Sequence, residues 1–190
     1  MTDQRETADA GNVVIGSFFD RGYVQVYTGD GKGKTTAAIG LAIRALGAGL
    51  NVYFAQFIKC GRYSEIEALD RFSDRLTCRQ FGRGNWLAGE PGSEDRQSAE
   101  DCLNAIADVL KSGKHQLVIL DEANVAAYYG LIDADALLRL IDIKPRNVEL
   151  VITGRCADRR IIERADLVTE MWEVKHYYKD GVLGRKGIES

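Results

Sequence analysis

Short apolar runs recur along the chain, separated by longer stretches in which apolar residues return at helical spacing. The runs are Tyr23–Thr28, Asn51–Phe57, Leu76–Phe81, Gln116–Leu120, Val148–Ile152 and Leu167–Val174. Several are apolar at successive positions rather than at every second one, the habit of strands buried on both faces of a parallel sheet. The stretches between them read as helices. One runs from Lys34 to Gly47 and Gly49, one over Ser64–Phe72 with Ser64 as its cap, and one from a Ser93 cap to Gly113. Others follow Glu122, start at Asp133 or Asp135 and stop before Pro145, and span Asp158–Arg164. The first is apolar nearly all round, with Arg44 its lone interior charge, which predicts a buried helix. Strands alternating with helices at this spacing predict an α/β fold, a mostly parallel sheet of about six strands with helices on both faces.

The junction between the first strand and the first helix carries the chemistry. It reads Gly29-Asp30-Gly31-Lys32-Gly33-Lys34-Thr35-Thr36. Closely spaced glycines let the backbone curl so that several N–H groups converge, and the helix starting at Lys34 adds the positive end of its dipole. Lys34 supplies a full charge, and the Thr35 hydroxyl stands where a magnesium ligand is expected. Strand, glycine loop, Gly-Lys-Thr and helix together predict a P-loop NTPase-like (RecA-like) nucleotide domain over residues 21–190. The loop is a variant, with Thr28 where the motif G-x-x-x-x-G-K-[ST] begins with glycine. Downstream, the apolar strand that stops at Asp121-Glu122 reads as the carboxylate pair on the magnesium side. The fifth strand ends in Thr153-Gly154-Arg155, where Arg155 either binds phosphate or pairs with an acid. Gln56 and Lys59 fall at the carboxyl end of the second strand, the edge where open α/β sheets bind ligands. No guanine-selecting N/T-K-x-D motif is present, which favours ATP.

Composition narrows the picture. The chain has 190 residues, 45% of them hydrophobic, and a formal charge of −3 with acids and bases intermixed. That is enough chain for one sizeable core. No basic face or tail suggests nucleic acid, and no apolar run is long enough to cross a membrane. Cys60, Cys78, Cys102 and Cys156 are scattered without a C-x-x-C pair, as suits free thiols in a reducing cytoplasm. His115 and His176 are far apart in sequence, which argues against a histidine metal site or a Ser-His-Asp triad; His176 reads as a local structural residue. Residues 1–20 read as a mobile leader. Its apolar Val13-Val14-Ile15 and Phe18-Phe19 either pad an edge of the core or fold over an active site, its own or a partner subunit's. Phe81-Gly-Arg-Gly-Asn-Trp86 opens a long glycine-rich loop in which both aromatics, on spacing alone, read as core or lid packing.

These residues reach a magnesium-dependent nucleotide domain but not a reaction. Phosphoryl transfer, hydrolysis coupled to motion and displacement at a nucleotide carbon all stand. Resemblance separates them. The loop Tyr-Thr-Gly-Asp-Gly-Lys-Gly-Lys-Thr-Thr-Ala-Ala resembles that of the ATP:corrinoid adenosyltransferases, and the similarity continues to the end of the chain. It passes through Gly-Ala-Gly-Leu-Asn-Val (47–52), Gln-Phe-Ile-Lys (56–59), Val-Ile-Leu-Asp-Glu (118–122) with Asn124, and Val-Ile-Thr-Gly-Arg (151–155). It ends with Ala-Asp-Leu-Val-Thr-Glu-Met (165–171), Val-Lys-His (174–176) and Gly-Ile-Glu (187–189). Threonine before the loop is that family's own habit.

The resemblance implies transfer of the 5′-deoxyadenosyl group of ATP to the Co(I) centre of a corrinoid, with release of triphosphate. The corrinoid would be cobalamin, cobinamide or cobyrinic acid a,c-diamide. Co(I) is itself the nucleophile, so no protein base is needed. Lys34, the loop from Gly29 to Thr36 and Arg155 would hold the triphosphate; Thr35 and Glu122 would hold Mg2+ (or Mn2+), with Asp121 acting through water. The family also displaces the lower cobalt ligand with aromatic side chains, from a Phe-Thr-Trp segment in its enterobacterial members. This chain departs there, which makes Phe81 and Trp86 the candidates. A flavoprotein or other reductant, a homodimer and a cytoplasmic location are further implications. The competing expectations are a P-loop small-molecule kinase or ATPase, which would release ADP, and a nucleotide-binding sensor without turnover.

Overall fold

The computed structural model describes residues 20–61, 63–83 and 91–189. The leader expected over residues 1–20 therefore lies almost wholly outside the described residues, and Trp86 lies outside them too. Six strands form one parallel sheet: β1 (Val24–Thr28), β2 (Val52–Gln56), β3 (Leu76–Gln80), β4 (Leu117–Asp121), β5 (Glu149–Thr153) and β6 (Leu167–Glu170). Their order is β3-β2-β4-β5-β1-β6. β5 thus lies between the strand that feeds the glycine loop and the strand that ends in the acidic pair. This is the RecA-like arrangement of the P-loop fold.

Helices cover both faces, as the alternation along each strand requires. On one face Val52, Phe54, Leu117, Ile119 and Val151 meet α1 (Lys34–Gly47) and α2 (Ser64–Leu69) through Ala38, Ala42, Ala45 and Leu69. On the other, Val24, Val26, Tyr53, Ala55, Val118, Leu120, Leu150 and Ile152 meet four helices. These are α3 (Ser93–Ser112), α4 (Ala123–Tyr128), α5 (Ala134–Ile143) and α6 (Arg159–Arg164). Ile106, Leu110, Leu137 and Ile161 are wholly buried there, each contributing about 1.5–3 kcal/mol of burial.

Three expectations are corrected. α1 is not buried all round: its buried stripe is Lys34, Ala38, Ala42, Ala45 and Leu46, while Ile43 is exposed. The helix covers one sheet face and its outer side, with Ile43 and Arg44, is exposed, so the small residues serve close approach to the strands. β6 stops at Glu170 rather than Val174. Among the described residues it is an edge strand paired with β1, whose last residue Thr28 lies opposite Glu170; beyond it the chain keeps two backbone bonds, through Met171 to Thr28 and Gly31, and then leaves the ladder. Ser64 and Ser93 begin α2 and α3 instead of capping them; Tyr63 and Gly92 are the caps, and the Gly92 N–H donates to the Asp95 carboxylate at 2.9 Å.

Candidate functional site

Every strand of a parallel sheet ends on the same edge, and that edge gathers the residues singled out above. The loop from Gly29 to Gly33 turns off β1 beside the segment that follows β6. Gly31 N–H donates to the Met171 carbonyl at 2.7 Å, and Met171 N–H to that of Thr28 at 2.9 Å. Gly29 has φ 89°, and a Cβ there would lie 2.4 Å from the Met171 carbonyl oxygen. Only glycine fits both the left-handed backbone and that contact.

Lys34 opens α1 and is nearly buried. Its ammonium donates to the carbonyls of Gly29 (2.6 Å) and Gly31 (2.7 Å). Burial, followed by the nearby Arg155 charge, pulls its pKa below the ordinary lysine value. One residue on, the Thr35 hydroxyl donates to Asp121 Oδ1 at 2.8 Å.

Asp121 is wholly buried at the end of β4 and fully partnered. Its Oδ1 also accepts from the Thr153 hydroxyl at 2.8 Å, and its Oδ2 accepts from Gln56 Nε2 at 3.0 Å. Gln56 Oε1 in turn accepts from Gln80 Nε2 at 2.9 Å. A carboxylate only accepts, so it fixes which way both amides point. Four strand ends are tied through one aspartate: β2, β3, β4 and β5. Thr153 has a second task, accepting from Glu122 N–H at 3.0 Å.

Glu122 has φ 61°, unusual for a residue with a Cβ. This turn separates two adjacent carboxylates. Asp121 meets Thr35, whereas Glu122 faces a cavity of about 470 Å³ that it shares with Lys59, Tyr63, Val125, Tyr128 and Arg155. Burial and then the Asp121 charge raise the Glu122 pKa, against lowering by Lys34, Lys59 and Arg155. Gly154, with φ 130°, lets β5 leave the sheet against α4; a Cβ there would come within 3.0 Å of the Val125 nitrogen. Arg155 is thereby delivered to the cavity rim, where it is exposed.

A second cavity of about 360 Å³ lies over the start of α1, lined by Lys32, Thr35, Thr36 and Lys59 on one side and by Gly187 to Glu189 on the other. Lys59 borders both cavities, lies 5.3 Å from the Tyr63 ring centre and pairs with Glu65 at 3.2 Å. Asp30 lies in the same loop, exposed. Among the described residues, no three His, Cys, Asp or Glu side chains gather as a metal cage.

The structure therefore brings Lys34, Thr35, Asp121, Glu122 and Arg155 to one edge. Phe81 is not among the residues lining either cavity; it packs, partly buried, on the core beside α3, and its carbonyl accepts from the Ser98 hydroxyl at 2.6 Å. His176 accepts from Tyr178 N–H at 3.1 Å, a local structural role. The larger cavity is also lined by Tyr63 and by the edge-to-face pair Tyr128–Tyr129, centroids 5.1 Å apart; on sequence the pair stands as the alternative to Phe81 and Trp86, whereas Tyr63 carries no such signal. The signal for the pair is that exposed aromatics that close a short helix just past a strand end have no core to fill. Asn124 is wholly buried between α4 and Gly154, with its Oδ1 unpartnered.

Comparison with known proteins agrees with this geometry. Residues 20–190 match the family model described as ATP:corrinoid adenosyltransferase BtuR/CobO/CobP. A corrinoid adenosyltransferase of Pseudomonas aeruginosa is 37% identical over 171 residues, covering 90% of this chain and 84% of that protein. The corrinoid adenosyltransferase CobA of Salmonella typhimurium is 33% identical over 177 residues, covering 90% and 86%. Among solved structures, a KaiC-like protein from Pyrococcus horikoshii OT3 superposes with a TM-score of 0.56 at 18% identity, over 79% of this chain and 73% of that one. That likeness concerns the fold alone. The family match begins just before β1 and takes in the whole sheet, both cavities and the closing segment: the chain belongs to the ATP:corrinoid adenosyltransferase family.

Proposed function

We propose that this chain performs its family's ATP-dependent adenosylation of a corrinoid with the phosphate loop holding the leaving group and the 470 Å³ cavity holding the reacting end. The observation that carries this reading is the position of that cavity. It is lined by Glu122, Lys59 and Arg155, the charges of Glu122 and Arg155 reaching the Lys34 ammonium, and is walled by Tyr63, Tyr128 and Tyr129. Its size suits a nucleoside, and an apolar aromatic wall facing a few charged groups suits a flat ligand oriented by its polar edge.

The Co(I) electron pair of the corrinoid forms the cobalt–carbon bond at C5′ of ATP. The C5′–O bond breaks, and triphosphate leaves with its electrons. The chain makes no nucleophile; its work is alignment and stabilisation of charge on the departing oxygen. Lys34, now on the carbonyls of Gly29 and Gly31, would exchange them for phosphate oxygens, joined by the loop N–H groups from Gly29 to Thr36 and by Arg155.

The donor set fits Mg2+ or Mn2+. The Thr35 hydroxyl and the Asp121 carboxylate are hard oxygens already in contact, with the Glu122 carboxylate one residue away; phosphate and water would complete the shell. Bound there, the ion would offset phosphate charge. Thr35 and Glu122 remain the proposed direct ligands, Asp121 acting directly or through water.

The family reading extends further. A flavoprotein or other reductant would supply Co(I), Phe81 and Trp86 would exclude the lower cobalt ligand, and the enzyme would act as a cytoplasmic homodimer. No helix among the described residues is long and apolar enough to cross a membrane. The test is an anaerobic assay with ATP, Mg2+ and chemically reduced cobalamin, read by absorbance. Adenosylcobalamin with stoichiometric triphosphate is the expected outcome; ADP as product would assign the chain to phosphoryl transfer.

A further inference from the structure

The end of the chain folds back over the phosphate loop, and one carboxylate organises that return. Glu189 accepts from the Arg185 backbone N–H at 2.7 Å and from its guanidinium at 3.2 and 3.3 Å. It also accepts from the Tyr177 hydroxyl. Lys32 of the loop reaches across to the same point. Its ammonium donates to the Ile188 carbonyl at 2.8 Å and lies 3.7 Å from the Glu189 carboxylate. The Arg185 guanidinium also sits 5.0 Å over the Tyr177 ring. The hydrogen bonds from Arg185 and Tyr177 lower the Glu189 pKa to about 2, so it stays ionised.

An acid beside a polyphosphate site would repel the ligand if it stood alone. Here it stands between two cations, Lys32 and Arg185, and leaves a net positive charge. Lys32 and Glu189 border the 360 Å³ cavity together with the Thr35 and Thr36 hydroxyls at the start of α1, and Arg185 is held next to it by Glu189. Single exposed ion pairs are weak, but a network that shares one carboxylate fixes two long side chains at once. Gly187, at φ 80°, provides the turn that brings the tail back.

We propose that Glu189 is a positioning residue for the nucleotide: it holds Lys32 at this cavity and Arg185 next to it, so that the polyphosphate end of ATP is gripped from the tail as well as from the loop. The proposal rests on the family reading for the identity of the nucleotide. It is tested by direct binding of MgATP and of inorganic triphosphate, measured by calorimetry on the full chain without corrinoid. Glu189→Gln and Lys32→Ala should each weaken both ligands about tenfold. The double variant should be no weaker than the poorer single one, because both changes break the same link. KM for the corrinoid should not move. Tyr177→Phe, which spares every charge, should give a smaller loss in the same direction and serves if Glu189→Gln does not fold. Unchanged ATP and triphosphate affinity in a folded Glu189 variant, additive losses, or an equal rise in corrinoid KM would each overturn the proposal. If the chain binds ATP with these responses but transfers no adenosyl group, the reaction assignment fails and the clasp stands.

Discussion

The Thr35 hydroxyl donates to the Asp121 carboxylate at 2.8 Å across a separation of 86 residues. The bond joins the helix after the phosphate loop to the strand that ends in the acidic pair, although β5 lies between their two strands. Thr153, on that intervening strand, donates to the same carboxylate oxygen. A metal ion entering there would meet a pre-set pair of oxygens. Asp121→Asn should therefore raise the Mg2+ concentration needed for half-maximal activity. It should also disturb the Gln56 and Gln80 amides, because an asparagine nitrogen would face the Gln56 donor. Glu122→Gln should raise the Mg2+ requirement without that second effect. If Glu122→Gln titrates with Mg2+ like the wild type, Asp121 is the principal protein carboxylate at the metal.

Lys34→Ala should leave the fold intact, since its present partners are two loop carbonyls. Turnover at saturating ATP and reduced cobalamin should fall about 10²–10³-fold, the usual cost of one donor aimed at developing charge. Near-normal turnover would remove Lys34 from the machinery.

Gly29→Ala should cost stability and nucleotide affinity together. The left-handed backbone alone costs a Cβ-bearing residue about 1–2 kcal/mol, and the methyl would press on the Met171 carbonyl. A thermal melt and an ATP titration read the two effects. A variant that matches wild type in both would show that the loop does not hold this conformation.

Phe81 and Trp86 divide two explanations. Phe81 packs partly buried on the core, so Phe81→Ala should lower stability by about 1–3 kcal/mol. If the ring also guards the lower face of the corrinoid, turnover from cob(II)alamin with a weak reductant should fall much further than turnover from preformed cob(I)alamin. The same ratio is expected of Trp86→Ala. Equal losses with both substrates in a well-folded variant would move the search to Tyr128 and Tyr129, which border the cavity.

Asp158 caps α6, accepting from Arg160 N–H at 2.8 Å and from its guanidinium at 3.0 and 3.1 Å. Those bonds from Arg160 lower its pKa. A depressed carboxylate stabilises the fold above its unfolded pKa and loses that contribution as the pH falls through the folded value. Asp158→Ala should thus cost about 1 kcal/mol near neutrality. The gap from wild type should close below about pH 4. A gap that stays constant to low pH would show that the charge is not what stabilises the cap.

Much of the fold was legible because it rests on local rules. Buried parallel strands are continuous apolar runs, and the phosphate loop is short and contiguous from Gly29 to Thr36. The element borders that failed were those decided by neighbours. Leu167–Val174 looks like one strand by composition, yet β6 ends at Glu170, opposite the last residue of β1. α1 looks buried all round, yet the side that carries Ile43 and Arg44 is exposed.

By itself the sequence determined the strand–helix alternation, the nucleotide loop and the presence of an acidic pair at a strand end. Tertiary structure decided which acid faces what. The left-handed turn at Glu122 sends two adjacent carboxylates in different directions, and no spacing rule encodes that. It also decided that Gln56, Gln80 and Thr153 orient Asp121, and that Glu189 meets Lys32 from 157 residues away (189 − 32). These are contacts between strand ends and a returning tail. They arise because a parallel sheet puts all its carboxyl ends on one edge, whatever the distance between them along the chain.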